Sequence, residues 1–195
     1  MTDRTTSHPA GRTLPGALRL RIVSPYATPF HEHLARLGER DRRIRLGRTV
    51  AAEAIEAYCS RARLTEPLIL GAYCDGILVA SAELIVLPEE RFGFGRTGSI
   101  ANMLMAIEQG YRRRDLASRL AKETIRHAAV RRIALIRMDY EPTNVPMARL
   151  TARLGAVHGW VGGLVRAELC TGWIGDGLVP PLTERRPGFR SLPGF

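Results

Sequence analysis

Residues 77–87 (ILVASAELIVL) are apolar on both alternating faces, and such a strand is stable only at the centre of a sheet with cover on each side. A second apolar run, residues 68–74 (LILGAYC), precedes it, and Asp75-Gly76 separates the two. Both turn residues tolerate positive φ, so the pair predicts a tight antiparallel hairpin. A chain built around that hairpin needs a sheet sandwiched between other elements. Glu83 breaks the apolar pattern. A carboxylate buried there must be paired or held neutral, which makes Glu83 a candidate catalytic group, with an arginine ion pair as the plainer alternative.

The rest of the chain supplies strands and cover. Residues 17–23 (ALRLRIV) alternate apolar and basic side chains like a half-buried strand. From Pro29 the spacing of Phe30, Leu34 and Leu37 predicts a helix with one apolar face, and Gly38 is placed to stop it. Residues 39–45 (ERDRRIR) read as a solvated, charged connection. Thr49 is a good N-cap for a second helix, whose apolar stripe is Val50, Ala54, Tyr58 and Ala62 with Ala51, Ile55 and Cys59. A loop over 88–98 leads into a third strand, 99–107. A helix starting near Arg113 carries Leu116, Ala117, Leu120, Ala121, Ile125 and Ala128 on one face. Residues 132–138 (RIALIRM) are a strand, Thr143 or Asn144 caps a short helix that Gly155 ends, and 156–161 with 164–169 form a closing hairpin. The order β-α-α-β-β-β-α-β-α-β-β implies an α/β (α+β) fold, a mixed sheet with helices on its faces. Residues 17–170 form the single domain, between a disordered leader (1–16) and a Gly/Pro-rich tail (171–195).

Composition narrows the function classes. With 195 residues, the chain is long enough for one full core. No apolar run approaches the roughly 20 residues of a membrane-spanning helix. The N-terminus lacks the apolar centre of a secretion signal, so a cytoplasmic protein without a membrane partner is expected. Cys59, Cys74 and Cys170 are scattered and suggest neither a disulfide framework nor a zinc site. His31 and His33, two apart on a helix, face different directions and do not make a shared metal site. The net charge of +10 invites a nucleic-acid partner. The arginines, however, are spread along the chain without the interleaved aromatics that stacking modules use, which disfavours that reading.

The segment running from Ile107 through Glu108, Gln109, Gly110, Tyr111, Arg112, Arg113, Arg114, Asp115 and Leu116 to Ala117 has a layout suited to anions: strand, short loop, basic turn, helix start. Backbone N–H groups and the helix dipole converge there on negative charge. The stretch 17–170 resembles the GNAT superfamily of N-acetyltransferases, in particular a bacterial subgroup. The family's pyrophosphate loop has Gln or Arg, two variable residues, Gly, one variable residue, then Gly or Ala. Arg112, Asp115 and Ala117 take the three fixed places. Asn144, Met147, Ala148, Leu150 and Leu154-Gly155 resemble the family's later helix. Leu34-x-x-Leu37 and Asp41-Arg42-Arg43-x-Arg45-Leu46 resemble the opening of the bacterial subgroup.

The resemblance implies a mostly antiparallel GNAT-like sheet and an acetyl-CoA (or other acyl-CoA) cofactor. It also implies transfer of the acyl group to a small-molecule or protein amine by direct attack in a ternary complex. It places the pyrophosphate on Arg112, Arg113, Arg114, Asp115, Leu116 and Ala117, and the pantetheine arm near Asn144 and Met147. A backbone N–H at the end of the strand that includes Ile107 would polarise the thioester. Glu108 matches the family's common general base. Thr151 stands where many members have the tyrosine that protonates the leaving thiolate, and threonine is too short and too weak an acid for that work. Tyr140 is the candidate substitute. Asp115 stands where glycine lets the backbone approach phosphate, and its carboxylate caps helix N–H groups while repelling an anion. The alternative function is therefore a catalytically degenerate, acyl-CoA-binding regulatory or interaction module. The β-rich C-terminus also offers an edge for a homodimer.

Overall fold

The computed structural model describes residues 17–46, 52–87, 91–92, 96–97, 99–112 and 115–172. The readings placed on the leader, Thr49, Val50, Ala51, Arg113, Arg114, most of the 88–98 loop and the tail from residue 173 lie outside those residues.

The elements are β1 (Leu18–Val23), α1 (Thr28–Arg36), α2 (Glu39–Leu46), α3 (Ala52–Thr65), β2 (Leu68–Cys74), β3 (Ile77–Val86), β4 (Arg91–Phe92), β5 (Arg96–Thr97), β6 (Ser99–Ile107), a 3₁₀ turn (Gln109–Tyr111), α4 (Leu116–Val130), β7 (Ile133–Tyr140), α5 (Val145–Arg153), β8 (Val157–Val161) and β9 (Leu164–Cys170). A seven-stranded sheet runs β1-β2-β3-β6-β7-β9-β8, and β4 and β5 pair separately. Every pair in the large sheet is antiparallel except β6 with β7. Parallel neighbours need a crossover, and α4 provides it.

The hairpin at 68–86 forms as its sequence requires. Asp75 (φ 50) and Gly76 (φ 82) both lie in the left-handed region, as a two-residue turn matched to strand twist demands. β3 is buried from Leu78 through Leu84. One face of the sheet packs under α1 and α3, where Phe30, Leu34, Ile55 and Cys59 meet Val23, Ile69, Leu78 and Ala106. On the other face α4 and α5 bring Ala121, Ala128, Ala148 and Leu150 against Leu84, Met103, Ile136 and Met138. Gly71 allows β2 to sit close beneath its neighbours, because a Cβ there would lie 2.5 Å from both Leu78 Cδ1 and Val23 Cγ2.

Two expectations need correction. Residues 39–45 are not a connection but helix α2. Acidic Glu39 and Asp41 lie in its first turn and Arg43 and Arg45 in its last, so the charge run complements the helix dipole. Its apolar content is too low to show as a stripe, and the helix is held by ion pairs rather than an apolar face. The helix expected near Arg113 begins at Leu116, and Gln109–Tyr111 before it form a separate 3₁₀ turn. Among the described residues no helix is long and apolar enough to cross a membrane.

Candidate functional site

The parallel ladder between β6 and β7 stops at Asn102↔Arg137. Beyond that rung β6 keeps pairing with β3 as far as Ile107, and β7 keeps pairing with β9 as far as Tyr140. The two central strands therefore part over their C-terminal halves. Residues 103–107 and 138–140 face across a wedge with no ladder between them. Backbone amides and carbonyls need partners, and such a wall accepts an extended chain that carries amide groups. α4 and α5 both start at this end of the sheet, so two helix N-termini, each electropositive, flank the wedge.

The turn into α4 is unusual at Asp115. Its backbone is left-handed (φ 56, ψ 7) and its side chain makes no cap hydrogen bond. The expectation that this carboxylate caps the helix is thereby corrected. Asp tolerates the left-handed region, whereas glycine adopts it without strain, which gives a backbone reason for a glycine at this place. Leu116 is buried and packs with Leu120 against β2 and β3, so its contribution to a ligand is its backbone N–H. Arg112 donates from Nε to the Ile107 carbonyl at 3.0 Å and from its other arm to Asp41 of α2. It braces the loop. Asn144 accepts from the Met147 N–H at 3.2 Å, so Asn144 rather than Thr143 caps α5, with Met147 packed against the core on that face.

Glu108 directly follows β6, and its N–H donates to the Val79 carbonyl at 3.1 Å. Its Oε1 accepts from His33 Nδ1 at 2.9 Å and from Arg36 Nε at 3.1 Å. Arg36 is itself fixed by donation to the Leu78 carbonyl at 2.8 Å. His33 is completely buried and the Glu108 side chain 12% exposed. Sequence reasoning missed both partners. The available signal was the helical spacing, since His33 lies on the same stripe as Phe30, Leu34 and Leu37.

Glu83 is 1% exposed and Arg45, its ion-pair partner, 5%. Its other oxygen accepts from the Tyr58 hydroxyl at 2.6 Å, and Arg45 lies over the Tyr58 ring. Burial works against the Arg45 charge, but the adjacent Glu83 carboxylate outweighs it and holds the guanidinium above its ordinary value. Burial raises the Tyr58 phenol. This triad ties α2 and α3 to β3, and it uses both oxygens of the carboxylate.

A second polar group lies where β7 ends. The Tyr140 hydroxyl is 3.3 Å from Thr151 Oγ1, which is 2.8 Å from His158 Nε2 and 3.0 Å from the Met147 carbonyl. The Thr151 hydroxyl donates its one hydrogen to the Met147 and Ala148 carbonyls, which leaves its two lone pairs to accept from Tyr140 and His158 Nε2. Burial lowers the His158 pKa from its ordinary value of 6.5, which favours the neutral ring. The sequence singled out Tyr140 and Thr151 separately; the fold makes them neighbours and adds His158.

Helix α2 lies across this end of the sheet. Arg40 pairs with Glu141, just beyond β7, at 2.7 Å, and Asp41 pairs with Arg112, just beyond β6. The same helix therefore clasps both sides of the wedge.

Solved structures share this architecture. The GNAT domain of S. lividans PAT superposes with a TM-score of 0.60 at 18% identity, covering 80% of this chain and 91% of that one. YncA of Salmonella typhimurium, solved with its cofactor acetyl-CoA, gives 0.59 at 16% identity, covering 86% and 99%. RimJ of Mycobacterium smegmatis, in complex with CoA-disulfide, gives 0.57 at 16% identity, covering 81% and 84%. At such identities the likeness speaks for the fold. No curated protein matches the sequence. The model of the acetyltransferase (GNAT) family, in contrast, matches residues 32–156, a span that includes α2, the splayed strands and the Asn144 cap. The chain belongs to the GNAT family of acetyltransferases.

Proposed function

We propose that this protein is an N-acyltransferase that moves an acetyl or related short acyl group from acyl-CoA to an amine by direct attack in a ternary complex. The observation that carries this reading is the wedge between β6 and β7. Its unladdered backbone edges suit the amide-bearing pantetheine arm, and the N-terminus of α4 suits the pyrophosphate. The donor set fits acyl-CoA, with Leu116 and Ala117 offering backbone N–H groups, Arg112, Arg113 and Arg114 offering charge, and Asn144 and Met147 lying along the other wall. Ile107 closes the β6 edge, where a backbone N–H is directed to the acyl carbonyl. Relatives of the same fold solved with acetyl-CoA or CoA-disulfide support the assignment.

Acyl-CoA, when bound, supplies the acyl group in activated form as a thioester. Glu108 receives the proton of the attacking amine through water, held in place by His33 and Arg36. Tyr140 Oη, held by Thr151 Oγ1, gives a proton to the departing sulfur, and the proton taken up at Glu108 returns through water to restore the phenol. Glu83, with both oxygens engaged by Arg45 and Tyr58, positions α2 instead of moving protons. A Tyr140→Phe variant is expected to lose about tenfold in kcat with KM for acyl-CoA unchanged. The loss is small for a general acid because a thiolate leaves readily unprotonated. Steady-state thiol release measures it.

A second reading, an acyl-CoA-binding module without turnover, is favoured by the Asp115 carboxylate beside the helix N-terminus and by Arg112 being engaged with Asp41. Calorimetric titration with acetyl-CoA separates the two, using the native chain and Asp115→Gly. The native chain is expected to bind at micromolar concentration. The glycine variant should bind about tenfold tighter, since one screened carboxylate near the phosphates amounts to about 1.4 kcal/mol. It should also be more stable by about 1 kcal/mol from relief of the left-handed residue. Absence of binding in both proteins would defeat both readings, whereas micromolar native binding followed by no thiol release with any amine would favour the module.

A further inference from the structure

The two halves of α2 are held in different ways. At its C-terminal end the Arg45 side chain pairs with Glu83 out of reach of solvent, and Leu46 packs against the apolar cluster beneath α1 and α3. Its N-terminal half is tied across the wedge by surface ion pairs. Arg40 meets Glu141 with the two side chains 71% and 44% exposed, and Asp41 meets Arg112 with 32% and 44%. Water screens pairs so exposed, and each shifts an equilibrium by about fivefold at most. The N-terminal half is therefore a strap that a modest competitor can lift, fixed to a firm base.

Of the two clasps, the Asp41–Arg112 pair is the one a competing anion would meet. Arg112 stands three residues before Asp115, the left-handed N-cap of α4. Its Nε donates to the Ile107 carbonyl at 3.0 Å, which keeps the guanidinium at the end of β6. One of its two remaining nitrogens is given to Asp41. A diphosphate seated on the α4 N-terminus draws on the same nitrogens, because a guanidinium takes phosphate oxygens as it takes a carboxylate, through one planar fork. Asp41 and a diphosphate are both anions, and sharing that fork sets them against each other.

We propose that Asp41 competes with the acyl-CoA diphosphate for Arg112, so that Asp41 sets the affinity of the cofactor site and cofactor binding unfastens the N-terminal half of α2. This rests on the acyl-CoA site of the reading above. Coupling of this kind is reciprocal, so breaking the clasp tightens the cofactor by the same factor by which the cofactor frees the strap. The base of α2, held by Arg45 and Glu83, stays in place in both states.

The test uses the full chain, native and as Asp41→Asn, Arg112→Gln and the double variant, with CoA as the probe. Calorimetry reads affinity, and hydrogen exchange reads the α2 amides with and without CoA. Asp41→Asn is expected to bind CoA about fivefold tighter than the native protein, the limit for an exposed pair. That gain should vanish where Arg112 is already glutamine. Without CoA, α2 should exchange about two- to fivefold faster in both single variants. The Arg112 variant is needed because Asp41 lies in the first turn of α2, where losing its charge also weakens the helix itself. Adding CoA to the native protein should raise α2 exchange to about the level of the unloaded variants, and should leave α2 of Arg112→Gln unchanged. Equal CoA affinity in the native protein and Asp41→Asn would overturn the proposal. So would a gain that survives in the Arg112→Gln background, α2 loosening in Asp41→Asn alone, or α2 exchange that holds or falls when CoA binds. In each of these cases CoA still binds, and the acyl-CoA reading stands without the clasp. No CoA binding by any of the four proteins overturns both. Thermal melting checks that the variants fold, and should Arg112→Gln fail, Arg112→Met gives the same comparison.

Discussion

Replacing Glu108 with glutamine is expected to lower kcat by about 10²–10⁴-fold, the usual contribution of a positioned general base, while acetyl-CoA binding by calorimetry stays as in the native protein. The substitution is well suited to the site. His33 Nδ1 and Arg36 Nε both donate to a single oxygen, Oε1, and a glutamine carbonyl can accept both. The side chain keeps its shape and its anchors, and only its ability to take a proton is lost. An unchanged melting temperature together with a collapse in thiol release would assign Glu108 to proton transfer. A variant that is fully active would show instead that the His33–Glu108–Arg36 cluster serves only to fasten α1 to the end of β6. His33→Gln should have a smaller effect than Glu108→Gln, because it loosens the carboxylate without removing it.

Glu83→Ala is expected to destabilise the protein by about 3–5 kcal/mol, as when one member of a buried ion pair is removed. The reasoning turns on what remains. Arg45 would be left 5% exposed without a counter-charge, and the Tyr58 hydroxyl would lose the oxygen it bonds at 2.6 Å. Because Arg45 belongs to α2, the loss should be felt at the wedge too, where Arg40 and Asp41 depend on the placement of that helix. Glu83→Gln should cost less, since the amide oxygen still accepts from Tyr58. A double replacement, Glu83→Leu with Arg45→Met, should recover much of the stability, because well-packed apolar residues often replace a buried pair without loss. Denaturant unfolding measures all three. A cost for Glu83→Ala below about 1 kcal/mol would mean that the triad is not what holds α2 down. Activity of Glu83→Gln measured where it remains folded would separate this structural role from a catalytic one.

Much of the fold was legible because local rules operate over a few residues. The alternation in 77–87 required a covered central strand, Asp75-Gly76 required a tight turn, and Asn144 had the side chain for a cap; each of these depends on near neighbours. The strand bounds 68–74 and 99–107 match those of the structure for the same reason. α2 was less legible, since its helix rests on ion pairs with distant partners and not on an apolar stripe.

The candidate site divides along the same line. The sequence marked Arg112 and Asp115 by its layout of strand, basic turn and helix start, and its resemblance to the family added Glu108, Tyr140 and Thr151. It did not join them. His33 and Glu108 are 75 residues apart in the chain, and Asp41 and Arg112 are 71 apart. Which groups meet across such separations is decided by sheet register and by where helices dock, through contacts that no short window contains. The parting of β6 and β7 after Asn102↔Arg137 and the left-handed backbone of Asp115 are of this kind. The sequence determined the layers, the turns and the chemical groups available. Tertiary structure alone decided which groups face the wedge and which are spent holding it together.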